Sequence, residues 1–487
     1  MIGTSTREYI FIRACIFLLR AITPACISYC ALRFLSPARL RAPVALELWA
    51  ACETLFFFFF YIPRKQHLQA AAVHPPLASR QERRLLFDRC SSHVPDHARY
   101  LRGWFMGAPL SEIKRDNLNE FLAWAFFNTG HVNTIDPDEL DEYIREIEKQ
   151  LGREVEPGRG NARCVRLTID KVDMSHRSLL WYMVVLFVDI FASVRLWHFD
   201  FDYYGIPLRQ YFSVFPLRPH DLTASKRSPS STFTYWHRPH RSSTKLPILF
   251  IHGIGIGLYP YVDFLSDVNA SDNDEVGIIA IEIMPISFRI APKILGKDAV
   301  CVEINQILKR HGWDKFVLAS HSYGSVISTH LLHHPDTAAK IASALFVDPV
   351  TFLLHLPDVA YNFTTRKPSR ANERQLSYFA SKDMGVSHTL SRCFFWSENI
   401  LWKDDLAGRD VTVVLSGKDL IVDTETVGRY LAGRDLLDGD GSWKQSPWSG
   451  KGLEVLWFEH LDHAQVFDRP RDRAKLVKVL QEYCGRS

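Results

Sequence analysis

The chain predicts an α/β fold, a mostly parallel central sheet flanked by helices, and three observations carry that expectation. Short apolar runs recur through the second half, at 247–251, 315–319, 344–348, 411–415 and 453–457, with the length of buried strands. A helix-like stretch ending near His334 follows the second of them, and another closes the chain. Several runs empty into turns rich in Gly, Ser, Asp and His, as strand ends do when they carry a site.

Taken in chain order, the first 65 residues are the most apolar. Residues 9–35 carry Arg13, Arg20 and Arg33 in an otherwise apolar stretch, and residues 44–62 include phenylalanine at every position from 56 to 60, with Glu47 and Glu53 before it. A span needs about 20 apolar residues, and a charge at its centre costs about 2.5 to 3.5 kcal/mol. Residues 44–62 read as a membrane helix closed by Pro63, Arg64 and Lys65, despite Glu53 near the middle. The earlier stretch reads as a second span, a signal-like segment or an amphipathic anchor, so 1–65 forms an anchor region with one or two spans. No cleavage site follows a clean apolar core, which disfavours a trimmed, secreted enzyme.

Residues 66–232 predict a helical extension. Asp136, Pro137, Asp138 and Glu139 form an N-cap, a first-turn proline and an acidic first turn; Leu140, Ile144, Ile147 and Leu151 share one face, and Gly152 stops the helix. Ser111 is expected to cap a helix carrying Leu118, Phe121 and Leu122. Residues 179–197 are apolar apart from Asp189 and Arg195, which suits an amphipathic helix over the site mouth or at the membrane surface, with a third span as the rival.

From 233 to 487 the chain predicts the α/β domain. The strand 247–251 opens on His252-Gly253-Ile254-Gly255, and the strand 315–319 on Ser320-His321-Ser322-Tyr323-Gly324. Strand, sharp turn and helix around small-x-Ser-x-Gly is the context a nucleophilic serine requires, with Ser322 at the apex. Strand 411–415 leads to Asp419 and strand 453–457 to His463, in the order nucleophile, acid, histidine. Asp348 rivals Asp419, Asp423 does so more weakly, and His460 rivals His463. Backbone N–H groups of Ile254 and Tyr323 are the natural donors for an oxyanion. Residues 351–407 form an insertion rich in Leu, Phe and Trp, read as a cap over the site, and 433–452 reads as a surface loop.

This set resembles the α/β-hydrolase superfamily, of the AB hydrolase-1 type, over 233–487, and within it a fungal-type membrane-associated member of undefined substrate. The resemblance implies the α/β-hydrolase fold with a cap after the sixth strand, and a triad of Ser322, His463 and Asp419. It needs no metal or organic cofactor. Structural alternatives exist for each part: Asp419 as a helix cap, His463 as a packed histidine, and the turn 252–257 as a dinucleotide loop, which lacks the acidic partner at a following strand end.

The expected reaction is cleavage of a carboxylic ester, apolar or lipid-like given the apolar cap and anchor, through an acyl-enzyme on Ser322. An acyltransferase using the same acyl-enzyme and a non-catalytic binding protein are the alternatives. Partners are a small-molecule or lipid ester and a membrane. A net charge of +4 over 487 residues, with no basic stripe interleaved with aromatics, argues against nucleic acid. Nine scattered cysteines without a CxxC pair argue against a disulfide framework or zinc site. Two acceptor-like sequons, at Asn269 and Asn362, would matter only if the catalytic domain faced a lumen.

Overall fold

A computed structural model describes residues 2–36, 41–270, 275–436 and 439–486. The strands are β1 Asp202–Gly205, β2 Lys226–Arg227, β3 Thr234–Arg238, β4 Ile248–Ile251, β5 Ile278–Glu282, β6 Phe316–His321, β7 Ile341–Val347, β8 Asp410–Ser416 and β9 Leu453–Phe458. They make one sheet in the order β2-β1-β3-β5-β4-β6-β7-β8-β9, with only β3 antiparallel to its neighbours. From β5 to β9 every pairing is parallel.

The inner apolar runs are continuous because their parallel strands are buried on both faces, while the edge strand β9 is half-buried. Alternation then divides them: Leu249 and Ile251 enter one core, Ile248 and Phe250 the other. Parallel register also brings the strand ends to one rim, since Ile251 pairs with Ser320, His321 with Val347 and Ser416 with Phe458. The residues that follow each strand therefore converge there. This is the mixed, mostly parallel, helix-flanked sheet of the α/β-hydrolase fold. With the two-residue edge strand β2 set aside, the cap follows the sixth strand, between β7 and β8. The sheet also reaches upstream of residue 233, through β1 and β2.

The extension folds as helices Arg80–Ser91, His97–Trp104, Arg115–Phe127 and Pro137–Leu151 around a core that includes Leu118, Leu122, Tyr143 and Ile144 and packs on Trp396 of the cap. Asp136 caps the last of these through Asp138 N–H at 3.1 Å, and Gly152 takes the left-handed conformation beyond it. Ser111 does not cap. Residues 110–112 close a single 3-10 turn, and the next helix starts at Arg115, where the Asn117 side chain accepts from Lys114 N–H at 3.0 Å.

Three helices, Thr6–Leu35, Val44–His67 and Leu179–His198, are long and apolar enough to cross a membrane. Glu53, which the sequence places awkwardly inside the second, is buried: it accepts from Thr23 Oγ1 at 2.5 Å and from Leu179 N–H at 2.8 Å, satisfying the open N-terminus of the third. The third helix lies against the α/β domain, where Asp189 pairs with Arg218 and Arg289, each at 3.0 Å, and Arg195 with Asp263 at 2.6 Å. Its outward face exposes Met183, Phe187, Phe191 and Val194. Of the two sequons, Asn362 is half-buried with its amide donating to Ile421 O at 3.0 Å; the Asn269 side chain and Ser271 lie outside the described residues.

Candidate active site

Ser322 follows β6 directly and precedes the helix Gly324–His333, at a φ of +50° that side-chain-bearing residues rarely adopt. Bonds hold the turn in this conformation: Ser322 N–H donates to Val347 O at 3.0 Å and Ser325 Oγ donates to Ser322 O at 2.6 Å. Close approach explains the two glycines. A Cβ on Gly324 would press into the Ile251 carbonyl, and one on Gly253 would stand 2.8 Å from Ser322 Cβ.

The loop after β9 brings His463 to the serine, with Nε2 2.8 Å from Ser322 Oγ. Its Nδ1 meets Asp419 Oδ2 at 2.7 Å, and the other Asp419 oxygen accepts from the N–H groups of Ile421 and Val422 at 2.7 and 3.0 Å. Asp419 assigns Nδ1–H as donor, so in the neutral ring Nε2 is the acceptor for the serine hydroxyl. Burial opposes charge on His463, but Asp419, helped by Asp348 and Asp462, outweighs it and raises the pKa to about 9.

The rivals occupy other places. Asp348 accepts from Ser416 N–H at 3.1 Å and from Ala464 N–H at 2.8 Å, so it fixes the strand end and the histidine loop rather than the ring. Burial raises its pKa to about 6, against the pull of His463. Asp423 caps the helix Thr424–Leu431 through Thr426 N–H at 3.2 Å. His460 is exposed. Ligand atoms of Asp348, Asp419 and His463 do lie within 4.8 Å of one another, a spacing that could suit a metal ion. Each already has hydrogen-bond partners: two backbone N–H groups for Asp348, two N–H groups and the imidazole for Asp419, and Asp419 and Ser322 for His463.

Across the rim, His252 is fully enclosed: Nδ1–H donates to Gly253 O at 2.7 Å and Nε2 accepts from Ile283 N–H at 2.9 Å. Burial lowers its pKa, and the accepting Nε2 requires the neutral ring. Gly253 N–H donates to Tyr261 Oη at 3.2 Å, and Tyr261 Oη bonds His321 Nδ1 at 2.8 Å, a brace under the turn that the sequence did not reveal. Among the described residues the N–H groups of Ile254 and Tyr323 have no partner, and both residues line the cavity that Ser322 faces.

That cavity is apolar. Its wall includes Phe363, Phe394, Trp396 and Ile421, together with Trp104 and Trp124 from the helical extension. The extension thus contributes to the site, which no local pattern announced, because a tryptophan on a helix face signals core as readily as pocket. Two unpartnered N–H groups on the apolar cavity that Ser322 also lines are an arrangement able to stabilise charge on an acyl oxygen.

No family model matches the chain, and no curated protein matches it. Among solved structures it is similar to a bacterial membrane phospholipase A described as a virulence factor, at 12% identity and a TM-score of 0.39, covering 63% of this chain and 94% of that one. A carboxylesterase from Bacillus subtilis is similar at 12% identity and a TM-score of 0.37, covering 62% and 97%. A thermophilic esterase from Thermogutta terrifontis is similar at 12% identity and a TM-score of 0.35, covering 52% and 94%.

Proposed function

We propose that the chain is a membrane-associated serine hydrolase that cleaves a carboxylic ester of apolar, lipid-like character through an acyl-enzyme on Ser322. The observation that carries this reading is the continuous chain from Ser322 Oγ through His463 to Asp419, with bonds of 2.8 and 2.7 Å. In its neutral form His463 takes the serine proton as Oγ attacks the ester carbon, Asp419 stabilises the imidazolium, and the N–H groups of Ile254 and Tyr323 receive the oxyanion. His463 then protonates the leaving alcohol. Water, deprotonated by the same ring, attacks the acyl carbon and releases the acid.

The apolar cavity supports a hydrocarbon acyl group, and the exposed face of the helix Leu179–His198 together with the two N-terminal apolar helices supports a bilayer as the place where substrate is met. The test is labelling of a membrane fraction with a fluorophosphonate probe, wild type against Ser322→Ala. Labelling lost in the variant is expected. A folded wild type that does not label, or a variant that labels equally, refutes the assignment.

A further inference from the structure

A second, larger cavity lies between the end of the helix Val44–His67, the segment 291–297 after β5, and the cap helix Met384–Arg392, and Tyr323 lines both it and the apolar cavity at Ser322. Its wall carries Arg64, His67, Lys293, Lys297, His388 and Arg392, against Glu398 as the one carboxylate among the described residues. Lys297 pairs with Glu398 at 2.7 Å. Arg64 and Lys293 have no carboxylate partner among the described residues, and Arg392 makes no direct ion pair, its nearest acidic influence being Asp170.

These cations are satisfied as donors or left open, but not neutralised. Arg392, 7% exposed, donates to the carbonyls of Ala70 and Ser391 at 2.7 Å and of Asp170 at 3.0 Å, and the Asp170 carboxylate offsets its charge only in part, without a direct ion pair. Arg64 donates to Ala291 O at 2.8 Å, while its Nε is buried without a partner. Lys293 is exposed. His388 reports the convergence: burial and then the charges of Arg392, Arg64, His67 and Lys293 push its pKa down to about 4, so it stays neutral among them. A wall with an excess of cations, Arg64 and Lys293 unpaired by any carboxylate, raises the local concentration of anions and is relieved when one binds.

The cavity is also placed at a defined depth. Arg64 lies 5.9 Å from the Phe60 ring, and five and six residues, about 7.5 to 9 Å of rise, past phenylalanines that are open to the outside, Phe59 at 76% and Phe58 at 46% exposure. A cation within two turns of an apolar belt stands where headgroup phosphates stand relative to acyl chains. We propose that this cavity binds a phosphate-type anion, the headgroup of an anionic phospholipid whose acyl chain fills the apolar cavity and whose ester lies between them at Ser322. The inference rests on the hydrolase reading above. The reaction breaks the acyl carbon–oxygen bond; water supplies hydroxyl to the acyl carbon and a proton to the departing lysophospholipid oxygen.

The full chain in uncharged detergent micelles is given phosphatidylglycerol or diacylglycerol with the same acyl chains at equal mole fraction, beside a short p-nitrophenyl ester. The wild type is expected to favour phosphatidylglycerol by about tenfold or more in kcat/KM, the scale of one charge-assisted hydrogen bond. Arg64→Gln with Lys293→Gln should bring the ratio near one and leave p-nitrophenyl ester turnover unchanged, while Arg64→Lys keeps the preference. Equal wild-type rates on the two lipids, or a preference that survives the double substitution, overturn the proposal. Inorganic phosphate is the second arm. If it raises the melting temperature of the wild type but not of the double variant, and no lipid preference is found, the anion site stands and the lipid assignment falls. A wild type with no esterase turnover and no fluorophosphonate labelling overturns the hydrolase reading instead, and the phosphate-dependent melting shift then decides the anion site by itself.

Discussion

Replacing Asp419 by asparagine isolates the charge behind the imidazole. The carboxylate meets His463 Nδ1 at 2.7 Å with none of its side-chain surface exposed. When Ser322 gives up its proton, the two charge centres stand about 4 Å apart, an interaction of about 4 kcal/mol at an effective dielectric near 20. At about 1.4 kcal/mol per decade that is about a thousandfold in kcat/KM. An amide NH2 turned towards Nδ1 would also favour the wrong tautomer, bringing the expected loss to about a thousandfold to ten-thousandfold. The assay is kcat/KM on a soluble ester, with Asp348→Asn measured beside it. Asp348 bonds two backbone N–H groups and not the ring, so its amide variant should lose about tenfold and some thermal stability. An Asp419→Asn enzyme within tenfold of wild type, or an Asp348→Asn enzyme equally impaired, would refute the reasoning.

The raised His463 pKa sets a pH dependence: the base must be neutral, so kcat/KM should climb between pH 7 and a plateau above about 9, and a plateau already reached at pH 7 would contradict it. The same shift is a stability statement. Because the folded pKa lies above the unfolded value of about 6.5, the stabilisation is complete below that value and is lost as pH rises through about 9, so the melting temperature of wild type relative to His463→Gln should fall across that window. Gly253→Ala places a Cβ 2.8 Å from Ser322 Cβ and should cut fluorophosphonate labelling at least about a hundredfold with circular dichroism unchanged; normal labelling would show that the two turns are not in contact. Glu53→Ala removes the acceptor for Thr23 and Leu179 and should cost about 1 to 3 kcal/mol, read as a lower melting temperature in detergent; an unchanged value would mean that Glu53 does not fasten the helices.

Much of this architecture is legible in one dimension because parallel strands buried on both faces leave continuous apolar runs, as β4, β6 and β8 do, and because the turn glycines stand where backbones touch. What escaped is what only pairing decides. β1 is four residues long, and its identity comes from antiparallel pairing with β3, where Tyr204 lies opposite Tyr235 with rings 4.5 Å apart. Both Asp348 and Asp419 end strands on the same rim, and nothing local says which carboxylate faces the imidazole. Glu53 looked like a cost within an apolar helix, because the free N–H of Leu179 that it satisfies lies 126 residues away.

The same non-local logic bears on how the proposed enzyme would meet a membrane. By composition the helix Leu179–His198 could be a span, and a helix apolar all round usually is a span or a core element. Its burial nevertheless has a helical period: Tyr182, Val185, Asp189, Ala192 and Leu196 turn inward, while Met183, Phe187, Phe191 and Val194 turn out. Asp189 holds Arg218 and Arg289, and Arg218 also holds Glu282 at 2.7 Å beneath the sheet. Lifting the helix away to cross a bilayer would take Asp189 from both guanidinium groups, leaving Arg289 unpaired and Arg218 with Glu282 alone, at about 3 to 5 kcal/mol for a broken buried pair. Removing its exposed side chains from water, by contrast, requires no such separation. Within the proposed reading, the helix therefore lies flat, bound to the protein by its charges and to the lipid by its phenylalanines, and this orientation holds the catalytic domain at the surface where an apolar ester is found.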